Sequence, residues 1–269
     1  MPQPVTVFLR QSLALKTAIA SCLKEPAQKP VHKLRSSTRR LEATLELLNF
    51  STDLAVRRKS RPLRKALRKI RRAAGSVRDL DVHRYLLKSF KKGADIVRLD
   101  HDLASQREKA AKVLGDHLKK SEKKIGELLR DLETALKPTF GLEVNGKDLV
   151  RLTRSWFAKK ACDLDPQEDD ELHSIRKAGK TARYIAESGV ETSKVTAALA
   201  SRFERAQETL GAWHDHLLLL EEARAVLPAQ SPAIEQIQQR AVTLRQEANS
   251  AAKHLLVTIC SIPYRSGVH

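Results

Sequence analysis

The sequence predicts an all-α protein built from helical bundles, and three observations carry that expectation. Apolar residues recur at intervals of three and four, as in Leu34, Leu41, Leu45 and Leu48, and again in Leu63, Leu67, Ile70 and Ala74. No segment alternates apolar with polar residues in the manner of a half-buried strand. Glycine and proline number only ten each in 269 residues, and long stretches are rich in Leu, Ala, Lys, Arg and Glu. The chain is long enough for one large domain or two of about 130 residues, each able to bury its own core.

Taken in order, helices are expected over about 5–24, 30–48, 54–74, 77–92 and 95–136, then 147–161, 168–188, 192–226 and 231–259. Pro30 suits a first helical turn, where its missing N–H costs nothing. The stretch Lys137 to Gly146 gathers Pro138, Gly141, Asn145 and Gly146, and marks a break between halves, 1–140 and 141–269. Antiparallel helices with short connections imply a bundle in each half. The acidic run Asp163, Asp165, Glu168, Asp169, Asp170, Glu171 precedes the helix bearing His173, where negative charge favours a helix N-terminus. It lacks the glycine and the spacing of an EF-hand calcium loop.

Charge is distributed unevenly. The chain holds 50 basic against 32 acidic residues, a formal net of +18. Residues 1–140 contain 33 basic and 15 acidic residues, whereas residues 141–269 contain 17 of each, so the whole excess lies in the first half. Arg57 to Arg78 alone carries eleven cations and no acid. Such density repels itself unless an anion offsets it, which points to a polyanionic partner. No apolar run approaches the roughly 18 residues of a membrane span, and the N-terminus lacks the pattern of a secretory signal. Cys22, Cys162 and Cys260 stand far apart and are odd in number, so the expectation is no disulfide framework, no CxxC metal or redox site, and a reducing, cytoplasmic setting.

Two segments resemble each other, one starting at Val31 and one at Leu172. Aligning His32 with His173 pairs Arg35 with Arg176 and Arg39 with Lys180, and each reads H-x-x-R-x-x-x-[RK]. Offsets of 0, 3 and 7 lie within about 60° on one helical face, and Arg183 extends the second stripe. A second pair of motifs follows in the same order, GSVRDLD from Gly75 and GAWHDHL from Gly211, which aligns Asp79 with Asp215. A duplication of this kind gives two like subdomains, most simply related by a pseudo-two-fold axis.

On these residues the chain resembles the CHAD domain, the conserved-histidine α-helical domain found mainly in bacteria and archaea. His32, Arg35, Arg39, Arg40 and Arg78–Asp81 carry the likeness in the first half; His173, Arg176, Lys180, Arg183 and Tyr184 carry it in the second. The resemblance implies two four-helix bundles related by approximate two-fold symmetry. It also implies binding of inorganic polyphosphate in a basic groove between them, and association with polyphosphate granules. Two positions depart from the family pattern: Glu42 stands where an arginine is common, and His214 aligns with Arg78. The E-x-E-x-K signature of the triphosphate-processing domain fused to many relatives is absent, so a stand-alone domain is expected.

Polyphosphate has no bases to read, so binding it needs cations along a path, with Arg supplying a planar fork and Lys a point charge. The expected contacts are His32, Arg35, Arg39, Arg40, Arg64, Arg68, Arg71, Arg72, Arg78, His173, Arg176, Lys180 and Arg183. His32 and His173 either donate to phosphate when protonated or pack beside the bundle and fix an arginine rotamer; Asp79 and Asp81 orient arginines or cap a helix. Neither a metal nor a cofactor is expected. Nucleic-acid binding is the alternative, since the pI is near 10. Aromatics make up only 4%, however, and are scattered away from the basic segments, leaving loose, salt-sensitive binding in vitro. Catalysis is not expected: there is no GxxxxGK[ST] loop and no ExxH pair, and His214 and His216 point to different sides of a helix. A scaffold docking on acidic proteins or headgroups is permitted by charge alone.

Overall fold

Period-three-and-four apolar spacing becomes eight long helices in the computed structural model, which describes residues 3–51, 54–189, 191 and 193–260. They are α1 (Pro4–Lys24), α2 (Gln28–Ser51), α3 (Leu54–Leu86), α4 (Ala94–Leu136), α5 (Gly146–Ala161), α6 (Asp169–Glu187), α7 (Lys194–Val226) and α8 (Pro232–Cys260). The described residues contain no strand. The expected helix start at residue 192 lies outside the described residues, as do 1, 2 and 261–269 at the ends of the two expected halves.

Local chemistry sets the helix ends. Pro4 opens α1, where its fixed φ suits the first turn, and Pro30 lies in the first turn of α2. The Asn145 side chain caps α5 by accepting from the Asp148 N–H at 2.8 Å. Asp169, Asp170 and Glu171 fill the first turn of α6, opposite in sign to the helix dipole there.

One expectation needs correction: the helices read at 54–74 and 77–92 are a single helix, α3, closed by a short 3-10 turn at Leu87–Ser89. Gly75 lies buried within it. A glycine costs a helix interior about 1 kcal/mol relative to alanine, which the packing of a 33-residue helix readily overrides.

Two compact units emerge. One comprises Gln3–Leu142 with Asp215–Ala241; the other comprises Glu143–His214 with residues from Val242 onward. Helices α7 and α8 therefore each contribute to both, a division that no single cut in the chain describes. In the first unit α1 packs on α2, α2 on α3, α3 on α4 and α4 back on α1, making a four-helix bundle. Its core is aliphatic, with Phe8, Leu15, Leu34, Leu41, Leu45, Leu67, Leu118 and Leu129 all buried. A second cluster joins Leu80, Leu99 and Leu103 to Leu219, Ala223 and Ile237. The other unit packs four helical segments, α5, α6 and parts of α7 and α8. Phe157 meets Phe203 edge-on at 5.1 Å between centroids, and Trp213, Leu172, Ile175 and Leu255 are buried.

The cysteines also need correction. Cys162 and Cys260 form a disulfide with a Cα–Cα distance of 5.9 Å, and only Cys22 remains as a buried thiol. Sequence distance concealed the pair, because the fold brings the residue after α5 to the end of α8 across a separation of 98 residues. The cysteines thus carry no argument for a reducing compartment. Among the described residues no helix is long and apolar enough to cross a membrane.

A bridge closing so long a loop constrains the unfolded chain. Reduction, or Cys260→Ser, should therefore lower unfolding stability by about 2–4 kcal/mol, measured by denaturant melts with and without reductant. Coincident melts would show that the bridge contributes nothing.

Candidate functional site

The first cationic face is built by α2 and α3. At α2 positions 32, 35, 39, 42 and 46 the spacing of three and four keeps one stripe on one side of the helix. Three ion pairs join this stripe to α3 in antiparallel order. Arg35 Nη2 lies 3.3 Å from Asp79 Oδ1, Glu42 holds Arg71, and Arg64 Nη1 donates to Glu46 Oε1 at 2.6 Å. The Arg35 guanidinium occupies the space where a Cβ on Gly75 would stand, so Gly75 is a notch that admits the arginine beside Asp79. Asp81 holds Arg107 at 3.0 Å, and Arg107 also donates to the Pro26 carbonyl. Both aspartates of the R-D-L-D run thus orient arginines.

Several expected site residues come together here. His32 lies in the field of Arg78, Arg35 and Arg40; burial first, then those three cations, push its pKa below the usual histidine range. Arg71 is lowered by burial and by neighbouring Arg35 and Arg72. Arg39 is half-buried on the same stripe, whereas Arg40, Arg68 and Arg72 are exposed. Of the eleven cations from Arg57 to Arg78, Arg64, Arg71 and Arg78 are half-buried, and the other eight face solvent.

The second face, on α6, is more closed than its sequence suggests. Arg176 is only 6% exposed, and its backbone carbonyl accepts from Gln207 Nε2 at 3.0 Å. Arg183 Nε donates to Glu187 at 2.7 Å, and its Nη2 lies 2.7 Å from Glu204 on α7, so two carboxylates share one guanidinium. Lys180 is half-buried. His173 stacks on His214 with ring centroids 4.4 Å apart, and its Nδ1 is buried with no hydrogen-bond partner. Burial, followed by Lys177 and Arg176, lowers its pKa to about 4, with Asp170 opposing.

The alignment that pairs His32 with His173 also pairs Glu42 with Arg183. On one helix pair the acid sits on α2 and the arginine on α3; on the other the arginine sits on α6 and the acid on α7. The α2 and α6 positions correspond and carry opposite charge, whereas the partners stand one turn apart, since the Gly75–Gly211 alignment pairs Arg71 with Gln207 and Arg68 with Glu204. Likewise His32 meets Arg78 in one unit, whereas His173 meets His214 in the other.

Sequence reasoning missed the tethering role of Glu42 and Glu46, although their offsets of ten and fourteen from His32 continue the stripe. It also missed His83, which is 3% exposed. Burial lowers its pKa against the opposing pull of Asp79, Glu222 and Asp215. No group of three or more His, Cys, Asp or Glu among the described residues is placed to hold a metal ion.

An all-α architecture with a dense cationic stripe on α2 and α3 defines a class of helical-bundle proteins with a basic face. Within that class, the CHAD domain family matches residues 9–224, and the chain belongs to it. The crystal structure of the CHAD domain from the plant Ricinus communis is similar at a TM-score of 0.67 and 17% identity, covering 94% of this chain and 90% of that one. PptA from Streptomyces chartreusis is similar at a TM-score of 0.63 and 14% identity, covering 96% and 98%. These likenesses concern the fold. No curated protein matches the sequence.

Two outcomes follow from this geometry. A Cβ at Gly75 would meet the far end of the flexible Arg35 side chain before anything else. Gly75→Ala should therefore stay within about 1 kcal/mol of the parent, as helix propensity gained offsets the ion pair lost. A thermal melt showing strong destabilisation would mean that the notch is rigidly filled. By NMR, the His173 imidazole should remain neutral at about pH 6 and gain its proton only as the pH falls toward about 4. Because the unfolded chain binds that proton more readily, its unit should lose stability as the pH falls between about 6.5 and 4. Titration of His173 in the ordinary histidine range would refute the stacked, buried arrangement.

Proposed function

We propose that this CHAD protein is a non-catalytic binder of inorganic polyphosphate, and that the α2–α3 face is its principal contact surface. The observation that carries this reading is the outcome of ion pairing on α3. Carboxylates hold Arg64 and Arg71 in place, while Arg57, Arg58, Lys59, Arg61, Lys65, Arg68, Lys69 and Arg72 stay exposed in a segment without an acid. From Arg57 to Arg72 the helix rises about 22 Å, long enough to meet successive units of a flexible chain of phosphates.

The face suits phosphate more than bases. Arg forks bind phosphate oxygens in pairs, and the exposed α3 cations have no aromatic residue among them to serve as a stacking platform. His32, whose pKa is lowered by burial and then by the surrounding cations, gains basicity when an anion offsets that field. On α6, Lys180 and His173 offer fewer accessible donors than the sequence stripe implied, so the second unit makes the smaller contribution. A cytoplasmic setting at polyphosphate granules belongs to the same proposal.

The test is a titration of the full chain with defined-length polyphosphate and with length-matched RNA at about 150 mM salt, where loose electrostatic binding fades. Polyphosphate should bind more tightly, and Arg68→Ala with Arg72→Ala should weaken it about tenfold, equivalent to about 1.4 kcal/mol. Equal or tighter RNA binding would sink the specific claim. Release of orthophosphate with Mg²⁺, abolished by His32→Ala, would overturn the non-catalytic reading.

A further inference from the structure

Residues 141–269 sum to zero charge, yet one cavity among them is lined by cations and by no acid. A cavity of about 480 Å³ opens between α7 and α8. Arg202, Arg205 and His254 line it together with Ala206, Ala251 and Leu255. None of its lining residues is acidic. Arg202 and Arg205 are exposed, whereas Ala206 and Leu255 are buried, so the site has a charged rim over an apolar floor.

A third arginine, Arg154 of α5, lies in the field of Arg202. Its Nε is buried without a hydrogen-bond partner, and burial together with the adjacent Arg202 depresses its pKa. Arg154 and Arg202 act on each other as like charges, a local excess that an anion would relieve. The acids of α7 do not supply it. Glu204 is held by Arg183 and lies about 100° or more around the helix from Arg202 and Arg205; Glu208 is one turn from Arg205 on the same side but does not line the cavity. The last 13 described residues of α8, from Ala248 to Cys260, contain no acid.

The volume falls within the range of small-molecule sites, about 300–1,000 Å³, and apolar walls with a few convergent polar groups are their usual composition. We propose that this cavity binds a small organic phosphate. Its phosphate groups meet Arg202 and Arg205, with Arg154 reinforcing the field, and its compact apolar body rests on Ala206, Ala251 and Leu255. An inorganic phosphate chain has no such body, so this site differs in ligand class from the α2–α3 face.

The test uses the full chain and the fluorescent nucleotide N-methylanthraniloyl-ADP at about 150 mM salt, with inorganic triphosphate as a second ligand. Saturable nucleotide binding should weaken at least tenfold in Arg202→Ala/Arg205→Ala. It should weaken equally in Ala251→Phe, which fills the cavity and leaves every cation in place. Thr258→Phe, at another point of the lining, repeats the test should Ala251→Phe fail to fold. Inorganic triphosphate should bind more weakly than the nucleotide and be insensitive to the Phe substitutions. Absence of saturable nucleotide binding would overturn the proposal, as would nucleotide binding unchanged by both Phe variants. Loss on Arg68→Ala/Arg72→Ala would place the nucleotide on α3 and overturn it too. Polyphosphate binding measured on the same variants keeps the two sites distinguishable.

Discussion

The constraint on which the first unit depends is electrostatic: α3 must pack beside α2 while carrying eleven cations between Arg57 and Arg78. Like charges on adjacent turns oppose a compact state. The chain answers by placing carboxylates on the facing stripe of α2, so that Glu42 and Glu46 take the inward arginines Arg71 and Arg64. Asp79, on α3 itself, takes Arg35. These pairs are half-buried and link different helices, which gives them a registering role that isolated surface pairs lack. The remaining cations are left outward, where solvent and salt screen them. The same arrangement therefore fixes the helix pair and leaves the surface positive.

The helical architecture was legible because amphipathic periodicity is local, and the apolar stripes of Leu34–Leu48 and Leu63–Ala74 are the buried ones. What local reasoning misread has a common cause in tertiary contacts. The continuity of α3 through Gly75 follows from long-range packing, and the vacancy at that glycine is used by Arg35 on another helix. Cys162 and Cys260 meet only because distant helices end together. Periodicity placed Arg176 and Arg183 on one face, but it could not show that Arg176 is buried or that Arg183 is claimed by Glu187 and Glu204. Glu42 stood out as an acid where arginine is common; its meaning became visible with Arg71 beside it.

The two stripes thus differ in kind. On α2 and α3 the acids anchor a minority of the cations, and the excess faces outward. On α6 the few cations are largely absorbed by the fold, with His173 stacked on His214 and held neutral by its surroundings. A motif common to both halves therefore does not present the same surface in each. Net charge also hides local asymmetry, since the half that sums to zero still lines one cavity with Arg202, Arg205 and His254 and with no acid.

The opposite charges at positions 42 and 183 bear on how a chain that carries the H-x-x-R-x-x-x-[RK] motif twice assembles correctly. Repeated sequences risk pairing a helix from one copy with the partner meant for the other, a characteristic failure of internally repetitive chains. Here, in the register of the Gly75–Gly211 alignment, such an exchange would set Arg183 of α6 against Arg68 of α3 and leave Glu42 of α2 facing Gln207 of α7. The exchanged helices would lose both bridges, and one of the two contacts would oppose like charges, while both native contacts neutralise. Opposite charges at positions 42 and 183 disfavour the exchanged pairing in this register and leave the apolar stripes free to remain alike.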